Sequence, residues 1–312
     1  MTIIEASKPI NLITFKNILY LTDFSQASRA ALPFARTVAR NHGAMVHAVH
    51  VLGSNRHDCA SPELRAALLS ADEQIAQAEI DRLDSALSGT DHQALAVHGE
   101  DIWPVVEGAI KDYDADLIVI GTRGRTGSLK HRLGSVAEEI FRRASVPVLT
   151  IGPNVYSSFH YDDARFRRLL FATDFEAESD AAARFAVSIA QENRGQLILL
   201  HVLDGPRPGA GSIVEPSVAE IMHELYEVIP NSAELRCRSQ AVVRYGDPSK
   251  QIVETAKERC AELIVLGVRD HANTLDTATH MDKATAHKVL VHASCPVLTV
   301  RGLRSREHAR VN

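Results

Sequence analysis

Glycines and hydrogen-bond donors follow the apolar segment Leu117–Ile120 in a pattern suited to a charged ligand. Gly121 and Gly124 are separated by two residues, and nine more residues lead to Gly134-Ser135. Without a Cβ, glycine lets the backbone approach a ligand closely, so that successive N–H groups can face one anion. A helix that opens at Gly134-Ser135 would add its unpaired N–H groups and the positive end of its dipole. The spacing predicts a phosphate-binding loop.

The same loop is rich in cationic side chains. Arg123 and Arg125 could hold phosphates through paired N–H donors, or they could be ordinary solvated loop residues. Lys130, His131 and Arg132 add further donors. The loop is not a Walker A motif, because no Gly-Lys-Ser/Thr follows it, and it is not the Gly-x-Gly-x-x-Gly dinucleotide fingerprint.

Two polar residues admit both a binding role and a local structural role. Asp23 follows a predicted strand, where its carboxylate could accept hydrogen bonds from an adenine amino group or a ribose hydroxyl. With Gln26 it could instead cap the next helix. Ser135 could contact phosphate, or it could form a capping box with Glu138.

The chain contains two copies of one module. Its repeated segments, in chain order, are Thr22-Asp23-Phe24 with Thr173-Asp174-Phe175, His50-Val51-Leu52 with His201-Val202-Leu203, Ala115–Gly121 with Ala261–Gly267, and Val146–Thr150 with Cys295–Thr299. Because the offset between the copies stays close to constant, a tandem duplication is the simplest cause.

Short apolar runs alternate with longer amphipathic ones, which predicts an α/β fold with a parallel sheet in each copy. Strands are predicted near 17–22, 44–51, 93–98, 117–121 and 148–151, and helices near 26–41, 62–87, 102–113 and 135–144. Strands of the second copy are predicted near 168–173, 196–202, 235–244, 263–267 and 297–300. Pro33 should kink or delay the first helix. Ligands of such sheets bind beyond the carboxyl ends of the strands.

The spacing Gly-x2-Gly-x9-Gly-Ser resembles the ATP-binding signature of the universal stress protein family, and both copies resemble its domain over nearly the whole chain. The resemblance implies two doubly wound, Rossmann-like domains of the adenine nucleotide alpha hydrolase type, each with a five-stranded parallel sheet of order 3-2-1-4-5. It also implies ATP, with Mg²⁺, at Thr22, Asp23, Val51, Gly121, Arg123, Gly124, Arg125, Gly134, Ser135 and Val136. Family members often carry a hydroxyl at the position of Ala137, so one phosphate contact is expected to be missing here.

The second copy lacks most of the signature. Gly267 is present, but Asp270 replaces the second glycine and Lys283-Ala284 corresponds to Gly134-Ser135. A carboxylate there would repel phosphates, so we expect one ATP site per chain, in the first copy. The second loop also holds His271, Asp276, His280 and Asp282, which match no compact metal-binding motif, and no metal site is predicted from them.

The remaining expectations concern the domain boundaries, the class of partner and the location of the protein. The predicted boundaries are 1–152 for domain 1, 153–165 for a linker, 166–303 for domain 2 and 304–312 for a flexible tail. A net charge of −5 argues against a nucleic-acid-binding protein. No apolar run is long enough to span a membrane, no signal peptide is recognised, and the four cysteines form no paired motif, so a cytoplasmic location is expected.

The resemblance implies a nucleotide-dependent switch or interaction partner of the stress response. No catalytic residues are recognised, so at most weak ATP hydrolysis is expected, and a slow ATPase coupled to conformational change remains open. A pure protein-interaction module with a vestigial nucleotide site also remains open. Val148–Ile151 could pair with Val297–Val300 to form an intramolecular pseudo-dimer, as the final strands of the family do, and a homodimer is also open.

Overall fold

Five parallel strands of the same topology form the framework of each half of the chain. The computed structural model describes residues 13–53, 61–122, 133–155, 166–205, 216–229, 237–268 and 283–301. Contacts divide the chain into two compact units, one centred on 14–164 and the other on 165–289. Each unit is described here by itself and is called the first or the second module.

The first module alternates strands and helices. In chain order its elements are β1 (Asn17–Leu21), α1 (Gln26–His42), β2 (Met45–Gly53), α2 (Pro62–Ala86), β3 (His92–Gly99), α3 (Ile102–Asp112), β4 (Leu117–Gly121), α4 (Ser135–Arg143) and β5 (Val148–Ile151). The strand order is β3-β2-β1-β4-β5, and all the neighbouring pairs are parallel. This confirms the predicted order 3-2-1-4-5.

The second module repeats this plan. Its elements are β6 (Arg168–Ala172), α5 (Ala177–Glu192), β7 (Gln196–Leu203), α6 (Val218–Glu227), β8 (Arg238–Tyr245), α7 (Pro248–Glu258), β9 (Leu263–Val268), α8 (Lys283–His292) and β10 (Val297–Arg301). Strands β8, β7, β6, β9 and β10 are parallel neighbours in that order. The described part of β8 begins at Arg238, so Cys237 lies before the strand, where the pattern had placed it inside.

The central strands are buried because helices cover both faces of each sheet. In the first module, Leu19 of β1 and Ile118 of β4 share a hydrophobic cluster with Val106 of α3 and Ile140 of α4. On the opposite face, the Tyr20 hydroxyl donates a 2.7 Å hydrogen bond to the carbonyl of Ser28 in α1. The sheet therefore holds the amino-terminal ends of α1, α3 and α4 near the carboxyl ends of the strands.

Pro33 does not delay α1, which runs without interruption from Gln26 to His42. A proline inside a helix costs about 3 kcal/mol because it removes one backbone donor and crowds the preceding turn. Burial of Ala31, Phe34 and Ala35 on either side of the proline offsets this cost. The expectation of a delayed start was therefore wrong, because packing outweighs the local propensity.

Candidate functional site

A cavity of about 330 Å³ lies at the carboxyl ends of the first module's strands. This volume lies within the range of small-molecule sites. Seven of the ten residues predicted to bind ATP line it, namely Thr22, Asp23, Val51, Gly121, Gly134, Ser135 and Val136. Arg123, Gly124 and Arg125 lie outside the described residues.

The turn between β1 and α1 forms one wall of the cavity. The Thr22 hydroxyl accepts a hydrogen bond from the backbone N–H of Phe24 at 3.0 Å, and Phe24 has a left-handed φ of 60°. The Nδ1 atom of His50 lies 2.8 Å from the Thr22 carbonyl oxygen. Because a carbonyl only accepts, Nδ1 carries the proton of this bond. The ring of Phe24 packs on His50, with centroids 4.4 Å apart, so the turn is fixed from two sides.

Asp23 does not cap α1, which corrects one of its two predicted roles. The N-cap residue is Ser25, whose side chain accepts from the backbone N–H of Ser28. The Asp23 carboxylate instead accepts from the Ser25 backbone N–H at 3.0 Å. The sequence could not separate these roles, because the residue that caps a helix depends on where the chain leaves the extended conformation. In the structure Asp23 is half-buried and lines the cavity.

Gly121 is required by packing against α1. A Cβ atom at this position would lie 2.5 Å from the carbonyl carbon of Ala27 and 2.9 Å from the backbone nitrogen of Ser28. These distances are too short for any side chain, so glycine lets β4 and the first turn of α1 approach each other. Gly121 lines the cavity as predicted, but this packing is a reason for glycine that needs no ligand.

The amino terminus of α4 opens into the cavity without a side-chain cap. Its N-cap residue is Gly134, which makes no side-chain cap hydrogen bond, and Ser135 is the first helical residue. The predicted capping box of Ser135 and Glu138 is therefore wrong, because Ser135 lies one position too late. The backbone N–H of Gly134 donates to the carbonyl of Thr122 at 2.7 Å, which joins the start of α4 to the end of β4. Such a helix terminus is suited to an anion.

Several cavity residues were not predicted from the sequence. His50 had been interpreted as an interior histidine, and its bond to Thr22 fits that interpretation, yet it also lines the cavity. Gly99 ends β3, and Glu100 and Ile102 follow it. The rule that ligands bind beyond the carboxyl ends of parallel strands could have predicted these residues. Thr122 lies between Gly121 and Gly124, at a position where the predicted pattern specifies no residue type.

The second module repeats the turn but pairs its carboxylate differently. His201 Nδ1 lies 2.9 Å from the Thr173 carbonyl oxygen. The ring of Phe175 stacks on that of His201, with centroids 4.6 Å apart. The carboxylate of Asp174 accepts a 2.8 Å hydrogen bond from the hydroxyl of Ser179. In the first module the equivalent Ser28 hydroxyl donates to the Ser25 carbonyl at 3.0 Å.

The described residues contain no cluster of three or more histidine, cysteine, aspartate or glutamate side chains that could hold a metal ion. The four candidate residues of the second loop, His271, Asp276, His280 and Asp282, lie outside those residues. A Mg²⁺ ion that enters with ATP would take its ligands chiefly from phosphate oxygens and water. Among the described helices, none is long and apolar enough to cross a membrane.

Comparison with known proteins identifies the repeated unit. A model described as "Universal stress protein family" matches residues 14–152 and again residues 165–301. The two matches together span most of the chain, and each contains one complete parallel sheet.

Individual relatives match one module at a time. Universal stress protein G of Shigella flexneri is 31% identical over 150 residues, which cover 44% of this chain and 99% of that protein. A universal stress protein of Methanocaldococcus jannaschii is 33% identical over 141 residues, covering 44% of this chain and 82% of that protein. The crystal structure of a universal stress protein from Archaeoglobus fulgidus has 22% identity and a TM-score of 0.67, covering 92% of this chain and 98% of that one, so it shares the fold.

Proposed function

Because the chain belongs to the universal stress protein family and carries two copies of its domain, we propose that the first module binds ATP. In this proposal the protein is a nucleotide-dependent switch or interaction partner, with one ATP site per chain. The observation that carries the proposal is the uncapped start of α4, which lines the same cavity as the Asp23 carboxylate. The helix start suits phosphates, and the carboxylate suits a polar nucleoside.

The chemistry of the walls orients the nucleotide. Phosphates are expected at Gly134 and Ser135, where backbone N–H groups and the helix dipole favour negative charge. Adenine and ribose are expected between Val51 and Asp23, since the carboxylate accepts hydrogen bonds from amino or hydroxyl groups. Arg123 and Arg125 would supply positive charge to the phosphates from the loop between β4 and α4.

Native mass spectrometry of the gently purified protein tests this proposal. The expected result is one ATP per chain, identified by chromatography of the released ligand. Two nucleotides per chain would show that the second module also binds. An empty protein that does not bind added ATP would favour an interaction module with a vestigial site.

A loop exchange tests the position of the phosphates. The double substitution Gly134→Lys with Ser135→Ala copies the second module into the first and should weaken ATP binding at least about tenfold, because it blocks close backbone approach. Gly134 has φ −63° and ψ 149°, which any residue adopts, so the melting temperature without ATP should change little. Unchanged ATP affinity would contradict the phosphate assignment.

Turnover separates the switch from the slow ATPase. ATP binding with release of phosphate well below the ~1–100 s⁻¹ of kinases fits either a switch or a slow ATPase. No detectable release favours the switch. Rapid Mg²⁺-dependent turnover abolished by Gly124→Asp would replace both with an enzyme. A cytoplasmic location, the pairing of Val148–Ile151 with Val297–Val300 and a homodimer stay predictions.

A further inference from the structure

Thr122 combines burial, an unpaired hydroxyl and a place in the wall of the cavity. The residue is 1% exposed, and its Oγ1 atom has no hydrogen-bond partner among the described residues. Burying a hydroxyl without a partner costs roughly 1–3 kcal/mol, so this position is unfavourable for the folded chain on its own. Such a cost is expected where a ligand supplies the missing partner.

Thr122 lies where phosphates are proposed to bind. It directly follows Gly121 at the end of β4, and its carbonyl accepts the Gly134 N–H at 2.7 Å. The residue is thereby fixed between the end of β4 and the uncapped start of α4. Its backbone N–H donates to the Ile151 carbonyl at 3.1 Å, so both main-chain groups have partners while the hydroxyl has none among the described residues.

The second module provides a natural comparison. Gly121 corresponds to Gly267, so Thr122 corresponds to Val268, which is 2% exposed. Threonine and valine have nearly the same shape and differ by a hydroxyl in place of a methyl group. The module with the degenerate phosphate signature therefore has an apolar side chain where the first module keeps a hydroxyl.

We infer that the Thr122 hydroxyl is a ligand-binding group of the first module that donates a hydrogen bond to a phosphate oxygen of the bound nucleotide. This inference rests on the proposed function. The Oγ1 atom itself is covered, so the contact requires a rotation about the Cα–Cβ bond that turns the hydroxyl toward the cavity. The bond would compensate for the unpaired hydroxyl when phosphate binds.

The substitution Thr122→Val tests the inference, because it should move stability and affinity in opposite directions. Without ATP the melting temperature should rise by a few degrees, since an unpaired buried hydroxyl is removed. The dissociation constant for ATP, measured by isothermal titration calorimetry, should increase roughly tenfold or more. Adenosine affinity should stay within about threefold of the wild type, a difference below one hydrogen bond.

Two further variants serve as controls. Thr122→Ser keeps the hydroxyl and should retain ATP binding. Val268→Thr places a hydroxyl at the matching position of the second module, so it should lower the melting temperature and leave ATP affinity unchanged. A purely structural role for Thr122 would give a parallel change of stability and affinity in both Thr122 variants.

The outcomes separate this inference from the proposed function. If the wild-type protein does not bind ATP, the proposed function and the role of Thr122 both fail. If it binds ATP and Thr122→Val binds equally well, the role of Thr122 alone is overturned. Equal weakening of ATP and adenosine would also overturn it, because the contact would then lie on the nucleoside.

Discussion

At the scale of single residues, Asp23 and Asp174 occupy matching positions, and each carboxylate accepts a hydrogen bond from the backbone N–H two residues later. The Ser179 hydroxyl donates to Asp174, whereas the matching Ser28 hydroxyl donates to the carbonyl of Ser25. Ser25 caps its helix through its side chain, and Glu176 in the same position of the second module makes no such bond. Asp23 lines the cavity of the first module.

Asp23→Asn and Asp174→Asn form a matched pair for testing the ligand role. Asp23→Asn should weaken ATP binding about tenfold, because the amide is a weaker acceptor than a carboxylate. Asp174→Asn should leave ATP affinity unchanged, since the second module is proposed not to bind ATP. Isothermal titration calorimetry measures both constants. A similar loss in the two variants would contradict an ATP role specific to Asp23.

The sequence alone could not predict every feature of single residues in the site. Strand ends and glycine spacing predicted where the cavity lies, because these are local patterns, whereas the role of Val51 was implied only by the resemblance to the family. The capping alternative offered for Asp23 and for Ser135 was wrong, because capping depends on backbone angles that differ between adjacent residues. The unpaired hydroxyl of Thr122 depends on packing from several elements, and no sequence pattern contains it.

At the scale of secondary structure, the contact of β4 with α1 predicts the effect of a single methyl group. Gly121→Ala should destabilise the protein by about 1–3 kcal/mol, because its Cβ would overlap the backbone of Ala27 and Ser28. Chemical denaturation without ATP measures this change.

Gly108 provides the control for that prediction. It lies inside α3, and a Cβ there would meet nothing within 4 Å. Gly108→Ala should therefore stabilise the protein by about 0.5–1 kcal/mol, since alanine favours the helix. Equal stability of the two variants would contradict the close approach of β4 and α1.

Helix α5 contains Glu192, and the titration of its carboxyl group should make the free energy of unfolding depend on pH. Burial raises the pKa of Glu192 from 4.5 to about 7, although the Ser188 hydroxyl beside it acts in the opposite direction. Between pH 4.5 and 7 the folded state thus binds more protons than the unfolded state. Stability contributed by the protonated group is present at low pH and is lost as pH rises through this interval.

Glu192→Gln tests this linkage, because glutamine resembles the protonated carboxyl and does not titrate. The melting temperature of the variant should exceed that of the wild type increasingly as pH rises from about 5 to about 8, across the interval in which the carboxyl ionises. Thermal melts at several pH values measure the difference. A constant difference at all pH values would show that Glu192 does not titrate in this range.

At the scale of the whole molecule, the two modules share a fold, and the first carries an uncapped helix start beside the cavity. The parallel order and the paired Thr–His contacts are alike in both. The apolar periodicity and the internal repeat predicted two α/β modules with parallel sheets correctly, since buried strands and crossover helices have strong sequence signals. The strand order was implied by the resemblance to the family. The difference between the modules lies in loops and single polar side chains.

Hydrogen exchange can locate the effect of ATP in the intact chain. At about one hundred times its dissociation constant, ATP should stabilise the state that binds it by about 2.7 kcal/mol. Slower exchange is expected for peptides that contain Thr22–Ser25, Gly99–Glu100 and the start of α4. Peptides with Thr173–Glu176 should change less. Equal protection of both modules would indicate two sites.

The close packing at Gly121 also affects how the history of such duplicated chains is read. A glycine whose side-chain space is filled by a neighbouring helix stays under structural selection after any ligand is lost. Gly121 would therefore persist without a ligand, and its presence alone is no record of ATP binding. Positions such as Thr122 and Val268, where the architecture accepts either residue, are the better record of when one copy was released from its ligand.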